Sequence, residues 1–149
     1  GERVLGQLIF PPSSRVYLDT APLIYSVEKH ADYWPTLRAF WLTVRKDAIE
    51  VVTSNLTLLE TTVKPTKEND QRLVQAYTKL LTVSQIELFE ITTQILKDAA
   101  RLRALQNFKT PDAIHAATAI AASCGYFVTN DPNFRRLSDI EVVIVDDLI

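Results

Sequence analysis

The sequence predicts an α/β fold in which a mostly parallel central sheet is covered by helices on both faces. Short, apolar, β-prone segments alternate with longer segments of helical periodicity along the chain, and that alternation is typical of parallel sheets. The 149 residues, of which 47% are hydrophobic and 23% charged, are enough for one domain with its own core. No repeat, low-complexity tract or linker divides the chain.

The first half of the chain predicts two strands and three helices after a short arm. We expect residues 1–14 to form this N-terminal arm, because Pro11-Pro12 interrupts it, and residues 15–149 to form a single domain. The predicted elements are a strand at 15–18, a helical stripe from 24 to about 46, a strand at 50–53, a helix from Ser54 to about Val63, and a helix with the stripe Leu73, Tyr77, Leu80 and Leu81. Ser54 is a plausible N-cap, and Lys64-Pro65 is expected to end its helix.

The second half predicts three further strands and two helices. They are a strand at 86–91, a helix at 92–105, a helix at about 114–124, and strands at 126–129 and 142–145. Thr110-Pro111-Asp112 has the composition of a helix start, with Thr110 as N-cap and an acid in the first turn. Gly125 is a natural stop for that helix, and Asn130-Asp131-Pro132 predicts a turn.

Four acidic residues are predicted at one edge of the sheet. Asp19 directly follows the first strand, and Asp131 comes two residues after the fourth. Glu60 lies in the helix after the second strand, and Asp112 lies in a first helical turn. Sites in open parallel sheets form outside the carboxyl ends of the strands, although Asp19, Asp131 and Asp112 are also explained as caps or as complements to a helix dipole.

Glu60 is the acid that capping explains least. It shares a helix face with Leu56, Leu59 and Val63, and a carboxylate rarely points toward a core without a partner. Within the predicted helix, which ends at about Val63, no basic residue or histidine lies within a turn on that face. We therefore expect a cation from outside the chain as its partner.

Coulomb's law extends this expectation to the whole acidic group. Two carboxylates about 4 Å apart repel by roughly 4 kcal/mol at an effective dielectric of 20, so acids that converge need a counter-ion. Oxygen ligands suit Mg²⁺ or Mn²⁺ better than zinc. Such ions generate a hydroxide nucleophile and hold the oxygens of a transferring phosphoryl group, so the acids point to phosphodiester hydrolysis.

The order of the acidic motifs resembles that of the PIN-domain nucleases, and among these the VapC-type toxins of toxin–antitoxin pairs. The motifs are Val-Tyr-Leu-Asp19-Thr20, Thr57-Leu58-Leu59-Glu60, Thr110-Pro111-Asp112-Ala113-Ile114-His115-Ala116-Ala117 and Val128-Thr129-Asn130-Asp131-Pro132-Asn133-Phe134. The resemblance runs from about Arg15 to the C-terminus and leaves the arm outside.

The resemblance implies a three-layer α/β/α sandwich and an acidic quartet of Asp19, Glu60, Asp112 and Asp131, with Asp19 and Asp112 as its firmest metal ligands. It also implies dependence on Mg²⁺ or Mn²⁺, endoribonuclease activity, a homodimer, and neutralisation by a small antitoxin. The aromatic density of one segment also favours a dimer contact in the N-terminal half. Its members are Tyr25, Tyr33, Trp34, Phe40 and Trp41.

Several other residues have both a functional and a structural interpretation. Thr20, Thr129 and Asn130 flank acids and are candidate accessory residues, but turn and cap roles explain them equally well. His115 shares a helix face with Asp112, and a hydrogen-bonded structural histidine is favoured over a catalytic base. His30 is expected to be exposed.

The formal net charge of -2 argues against a simple cationic nucleic-acid binder, but the balance turns positive once the four site acids are set aside. Basic residues near the motifs are candidates for phosphate contacts, with ordinary surface charge as the alternative. They are Lys64, Lys67, Lys109, Arg135 and Arg136. No aromatic base-stacking motif is recognisable.

The sequence therefore predicts a divalent-metal-dependent endoribonuclease, the toxin of a type II toxin–antitoxin module. The alternatives are a housekeeping RNA-processing nuclease and a catalytically silent PIN-fold interaction module. The expected partners are RNA, a cognate antitoxin and a second copy of the chain. The single cysteine, Cys124, fits a reducing, cytoplasmic compartment, and no apolar run approaches the roughly 18 residues that a membrane span requires.

Overall fold

The computed structural model of the protein describes residues 6–149, which form a parallel sheet with helices on both faces. The elements are β1 (Arg15–Leu18), α1 (Thr20–Val27), α2 (Trp34–Lys46), β2 (Glu50–Ser54), α3 (Asn55–Lys67), α4 (Gln71–Val83), β3 (Glu87–Phe89), α5 (Thr93–Gln106), α6 (Thr110–Ala121), β4 (Tyr126–Thr129) and β5 (Glu141–Ile144). Two 3₁₀ helices, Pro132–Arg136 and Val145–Leu148, complete the described part of the chain.

The sheet has the strand order β3-β2-β1-β4-β5 with every pairing parallel. β1 is central, because Val16 lies opposite Val51 of β2 and opposite Tyr126 of β4. All five strands therefore end at the same edge. This arrangement confirms the predicted α/β class.

Alternate side chains of β1 enter two separate cores. Tyr17 packs in a cluster with residues of α5 and α6, including Ile95 and Ala116. Val16 and Leu18 pack in the other cluster with residues of α1, α2 and α4, such as Phe40. Two cores on opposite faces of one sheet make a three-layer α/β/α sandwich, as predicted.

The predicted helix from 24 to about 46 is two helices. α1 begins at Thr20, directly after Asp19, and residues 28–33 separate it from α2. Lys29 in this connection has a φ of 50°, a left-handed conformation that ends a right-handed helix. The apolar periodicity of residues 34–44 is correct for α2 alone.

α3 continues past the proline that was expected to end it. Pro65 lies inside the helix, and its side chain is buried. Proline costs roughly 3 kcal/mol in a helix interior, because it lacks the backbone N–H and its ring crowds the preceding turn, and burial of the Pro65 ring offsets part of that cost.

The ends of α6 also differ from the prediction. Lys109, and not Thr110, is the N-cap residue, and Pro111 lies in the first turn. The helix ends at Ala121, and Ser123 adopts the left-handed conformation with a φ of 57°. Ser123 therefore provides the chain reversal that we had expected of Gly125.

The segment that we expected to be an N-terminal arm packs partly into the core. Leu8 and Phe10 are 1% and 3% exposed, and the Phe10 ring lies 5.8 Å from that of Phe40 and 4.7 Å from that of Tyr126. Residues 1–5 of the expected arm lie outside the described residues.

The aromatic segment of the N-terminal half largely contributes to the core. Phe40 is fully buried. Tyr25, Tyr33, Trp34 and Trp41 are partly buried against the same cluster. Burial in the monomer therefore accounts for much of the aromatic density that favoured a dimer contact here.

No helix within residues 6–149 combines the length and apolar character needed to cross a membrane.

Candidate active site

Four elements bring the predicted acids toward the carboxyl-end edge of the sheet. Asp19 follows β1 and is the N-cap of α1, and Asp131 follows β4 and caps the 3₁₀ helix Pro132–Arg136. Glu60 projects from α3, and Asp112 lies in the first turn of α6. All four are partly buried.

Hydrogen bonds to both carboxylate oxygens fix the orientation of Asp19. The backbone N–H of Thr20 donates to Oδ1 at 2.9 Å, and the Thr129 hydroxyl donates to Oδ2 at 2.7 Å. The side chain is 13% exposed. Asp19 is therefore held in one rotamer by its own helix and by the neighbouring strand.

Thr129 connects Asp19 to Asp131. Its hydroxyl, which donates to Asp19, also accepts a hydrogen bond from the backbone N–H of Asp131 at 3.0 Å. The Asp131 Oδ1 accepts from the backbone N–H of Asn133 at 2.9 Å. Asp131 thus has the capping role weighed as its structural alternative, and it is also linked to Asp19 through one hydroxyl.

Glu60 has partners within the chain, which the expectation of a cation from outside did not include. His115 Nε2 lies 2.6 Å from Glu60 Oε1, and the Thr20 hydroxyl donates to the same oxygen at 2.7 Å. Because an ionised carboxylate only accepts hydrogen bonds, His115 carries a proton on Nε2. Leu59 and Val63, which share a helix face with Glu60, are exposed. This face of α3 is therefore not buried in the core, although its residues are apolar.

His115 lies at the centre of this hydrogen-bond network. Its side chain is 2% exposed, its Nε2 is also 3.7 Å from Asp19 Oδ1, and its Nδ1 lies 2.6 Å from the Tyr17 hydroxyl. The favoured interpretation, a hydrogen-bonded structural histidine, matches these contacts. The histidine nevertheless belongs to the acidic site, because it bonds one acid and faces another.

The pKa values of the pair reflect this contact. Burial by itself raises the pKa of Glu60, but the hydrogen bond and charge of His115 and the Thr20 hydroxyl outweigh burial and hold it below its usual value. Burial by itself lowers the pKa of His115, but the hydrogen bond to Glu60 and the charges of Asp19 and Glu60 raise it above its ordinary value. The two groups therefore favour the ion pair.

Asp112 is in a different electrostatic position. Burial raises its pKa, and the negative charges of Asp131 and Asp19 raise it further. No hydrogen bond holds its carboxylate within residues 6–149. The Asp112 carboxylate is therefore repelled by the other acids and has no hydrogen-bond partner among the described residues that offsets this repulsion.

The donor chemistry of the site suits a hard divalent cation. The four acids offer only oxygen, which Mg²⁺ and Mn²⁺ prefer, and an added cation would relieve the repulsion that Asp112 experiences. In the described part of the chain, however, no three His, Cys, Asp or Glu side chains are already grouped as a metal site. His115 and the hydroxyls of Thr20 and Thr129 engage Glu60 and Asp19 in the present arrangement.

The accessory candidates lie in two different places. Thr20 and Thr129 hydrogen-bond the acids directly. Asn130 instead donates from Nδ2 to the Tyr25 hydroxyl at 3.2 Å and accepts at Oδ1 from the backbone N–H of Asp146 at 2.8 Å. Asn130 thus joins the acidic edge to an aromatic cluster whose rings come from α1 and from the loop between α1 and α2.

The basic candidates fall into paired and unpaired groups. Arg135 forms an ion pair with Asp147 at 2.6 Å, and Arg136 donates to the Gln106 carbonyl and lies over the Phe108 ring. Lys64 and Lys67 form no ion pair among the described residues. Lys64 follows Glu60 by one helical turn, so it lies on the same side of α3.

Comparison with known proteins gives a family and a set of similar folds. The sequence profile of the PIN domain matches residues 16–140. No protein with a curated description matches the sequence. The fold is similar to VapC20 of Mycobacterium tuberculosis, described as a sarcin-ricin loop cleaving toxin, with a TM-score of 0.71, 17% identity, and coverage of 85% of this chain and 98% of that one.

Two VapBC structures have a similar fold. VapBC2 from Rickettsia felis, bound to a promoter DNA fragment, has a TM-score of 0.69 and 19% identity, over 87% of this chain and 98% of that one. VapBC-1 from nontypeable Haemophilus influenzae has a TM-score of 0.67 and 18% identity, over 89% and 98%. At these identities the likeness establishes the fold.

Proposed function

Because this chain belongs to the PIN domain family, we propose that it is a nuclease of that family which hydrolyses RNA phosphodiester bonds with Mg²⁺ or Mn²⁺. Asp19, Glu60, Asp112 and Asp131 would hold the ion. The observation that carries the proposal is the presence of four partly buried acids at the carboxyl-end edge of the sheet, where the Thr129 hydroxyl links Asp19 to Asp131. The raised pKa of Asp112, caused by burial and by the neighbouring acids, supports it. Unrelieved repulsion among acids at one edge of a sheet favours a cation there.

When bound, the ion would supply an activated water and stabilise negative charge on the phosphate oxygens. The chain's own residues keep the acids ionised and oriented. Thr20 and Thr129 fix Asp19, and His115 holds Glu60 in its charged form. The backbone around Asp131 orients that side chain through the turn it caps.

We propose that RNA is the substrate and that the protein is a toxin with a cognate antitoxin. The support is the fold, which it shares with a toxin described as cleaving the sarcin-ricin loop and with proteins solved as VapBC complexes. Intact acids at all four motif positions also support activity. The buried free thiol of Cys124 is compatible with a reducing compartment, so we place the activity in the cytoplasm.

An antitoxin of this protein would inhibit by inserting a basic side chain among the acids. An arginine there would form bidentate hydrogen bonds with the carboxylates and compete with the ion. Raising Mn²⁺ should partly restore cleavage in the presence of the partner, and mutating the partner's arginines should weaken inhibition more than binding. Inhibition that ignores both changes would place the partner's action elsewhere.

We also propose a homodimer, through α3 instead of the aromatic segment. Leu59 and Val63 are one turn apart on α3 and are 59% and 43% exposed, which makes a short apolar stripe. Leu59→Glu should therefore convert a dimer into a monomer in sedimentation at tens of micromolar, while Leu42→Glu, at a 63% exposed position on α2, should not. A wild-type monomer at that concentration would contradict the proposal.

A catalytically silent interaction module is the second candidate. It is favoured by the partners that Glu60 and Asp19 already have, since His115, Thr20 and Thr129 satisfy these acids without a metal. A housekeeping RNA-processing nuclease would keep the same site and differ in lacking an antitoxin. An antitoxin reading frame directly upstream would favour the toxin.

The test is incubation with total RNA, with and without Mn²⁺ or Mg²⁺, followed by mapping of the cut ends. We expect discrete cuts that require the ion and that Asp112→Asn reduces at least a hundredfold, because loss of even an outer residue at a metal site costs roughly 10–100-fold. Asp139→Asn, at an exposed position before β5, is the matched control. Single-stranded DNA and p-nitrophenyl phosphate distinguish other hydrolytic activities, and a protein that cleaves none of these substrates is the silent module.

A further inference from the structure

Three aromatic rings pack together where α1 leads into α2. The Tyr25 and Tyr33 rings are stacked, with centroids 4.2 Å apart and an interplanar angle of 23°. The His30 ring lies 4.7 Å from Tyr33 and 5.2 Å from Tyr25. We call these three residues the ring cluster.

Hydrogen bonds attach the ring cluster to the acidic site. Asn130 donates to the Tyr25 hydroxyl, and the Tyr33 hydroxyl donates to Asp146 Oδ1 at 2.7 Å. The backbone N–H of Asp146 donates in turn to Asn130. Asn130 immediately precedes Asp131, so the rings are held against the same loop that positions an acid of the site.

The cluster is both ordered and accessible. His30 is exposed, and Tyr33 is partly exposed. The backbone N–H of Asp32 donates to His30 Nδ1 at 3.1 Å, which fixes the imidazole and leaves the proton of the neutral ring on Nε2. Lys29 directly precedes His30 in the chain, and its Nζ lies 5.9 Å from the ring centroid of Trp34, the residue after Tyr33.

The ring cluster contributes only in part to the core. Tyr25 and Tyr33 pack partly against the core, whereas the His30 ring is exposed and the Tyr33 hydroxyl donates to the exposed carboxylate of Asp146. Rings fixed in advance lose little conformational freedom when a flat ligand stacks on them. Aromatic platforms beside basic residues are the means by which proteins bind unpaired bases.

We propose that the ring cluster of Tyr25, His30 and Tyr33 is a subsite that stacks one unpaired base of the RNA next to the scissile phosphate. The proposal rests on the proposed function, because it places the base relative to the acidic site. The substrate is then single-stranded or looped at the cut, because neighbouring bases cover both faces of a base inside a duplex. Stacking tolerates different bases, so the subsite selects for unpaired structure more than for sequence.

The test measures binding without cleavage. The probes are a fluorescent single-stranded 12-nucleotide RNA of mixed sequence and an abasic ribose-phosphate 12-mer, each titrated with the protein in EDTA. We expect wild type to prefer the base-bearing RNA and Tyr33→Leu to lose about 5- to 150-fold of its affinity for it, the range for removal of a base-stacking ring. Affinity for the abasic 12-mer should be the same in both proteins.

Two further variants keep the test decisive if Tyr33→Leu does not fold. Tyr33→Phe retains the ring and should bind like wild type, whereas His30→Ala, at an exposed position, should lose part of the preference. Unchanged preference in His30→Ala and Tyr33→Leu, or an equal loss of affinity for both probes, would overturn the subsite. If wild type cleaves RNA but shows no preference for the base-bearing probe, the subsite is wrong and the proposed function stands. If wild type prefers the base-bearing probe but cleaves no RNA, the ring cluster binds bases and the proposed nuclease activity is wrong.

Discussion

At the scale of single residues, the contact between Glu60 and His115 determines the character of the site. The pair is held by a 2.6 Å hydrogen bond between residues 55 positions apart, and His115 also contacts the Tyr17 hydroxyl. Removal of the imidazole therefore takes one hydrogen bond from Glu60 and one from Tyr17. Buried polar groups left without partners cost about 1–3 kcal/mol.

His115→Ala should therefore lower the free energy of unfolding by about 1–3 kcal/mol, measured by urea denaturation without metal. Gln75→Ala is the matched control, because Gln75 is exposed on α4 and its loss should remain within about 0.5 kcal/mol. Equal losses in the two variants would mean that the Glu60 contact contributes nothing to folding.

Asp112 should behave in the opposite way in the metal-free protein. Its pKa is raised in the folded state, so its ionised form costs stability above the raised pKa, and the cost disappears as the pH falls below the unfolded value. Asp112→Asn should thus melt higher than wild type at neutral pH. The carboxyl is partly exposed, which limits the gain to about 1 kcal/mol, or roughly 2–4 °C for a chain of this size.

Thermal melting at neutral and acidic pH checks this prediction. The difference between Asp112→Asn and wild type should vanish at acidic pH, where both side chains are neutral. A variant that melts lower than wild type at neutral pH would show that Asp112 stabilises the fold and does not experience net repulsion.

The sequence identified the unusual residue in this site but not its partner. Glu60 lies on an apolar stripe, and that pattern correctly indicated that its carboxylate needs a compensating charge. The compensating group comes from α6, far along the chain, and no local pattern reveals a contact that the packing of α3 near α6 creates. The ring cluster is local in sequence, and Tyr25 and Tyr33 belong to the aromatic segment, but its hydrogen bonds to Asn130 and Asp146 depend on the fold.

At the scale of elements, α3 joins the acidic site to a basic surface. Lys64 and Lys67 follow Glu60 by four and seven positions, so they continue its side of the helix. Neither lysine forms an ion pair in the described residues. We expect them to contact the RNA backbone on the side of the scissile phosphate that faces α3.

Substituting these lysines should reduce the salt dependence of RNA binding. For single strands, each lost phosphate contact lowers the slope of log K against log salt by about 0.7, so Lys64→Gln/Lys67→Gln should lower it by about 1.4. Lys46→Gln is the control, since Lys46 ends α2 just before β2 and therefore lies at the amino-end edge. If the double variant has the same slope as Lys46→Gln and wild type, α3 does not contact the RNA backbone.

The sequence predicted the existence and order of the elements better than their ends. Strands 15–18, 50–53 and 126–129 were predicted within a residue, because apolar β-prone runs are short and sharply bounded. Helix ends were less accurate. Apolar periodicity predicts one helix from 24 to about 46, but the left-handed conformation of Lys29 separates α1 from α2. Composition predicts that a helix ends at Lys64-Pro65, but α3 continues through Pro65.

At the scale of the whole molecule, strand order explains how four distant motifs meet. β1 and β4 are neighbours at the centre of the sheet, and α3 follows β2, which lies on the other side of β1. Parallel strands end at one edge, so the motifs converge whatever their separation in sequence. That consequence of topology was predictable from alternation alone, while the present hydrogen-bond partners of each acid depend on packing.

The proposed function requires that the four acids bind a divalent cation, and thermal melting with added Mn²⁺ tests this binding most directly. An ion that binds only the folded state at a hundred times its Kd adds about 2.7 kcal/mol, or roughly 5–10 °C for a chain of this size. Wild type and the Asp139→Asn control should both gain this stability, and Asp112→Asn should gain little. An equal gain in wild type and Asp112→Asn, or no gain in any of the three, would contradict the metal site.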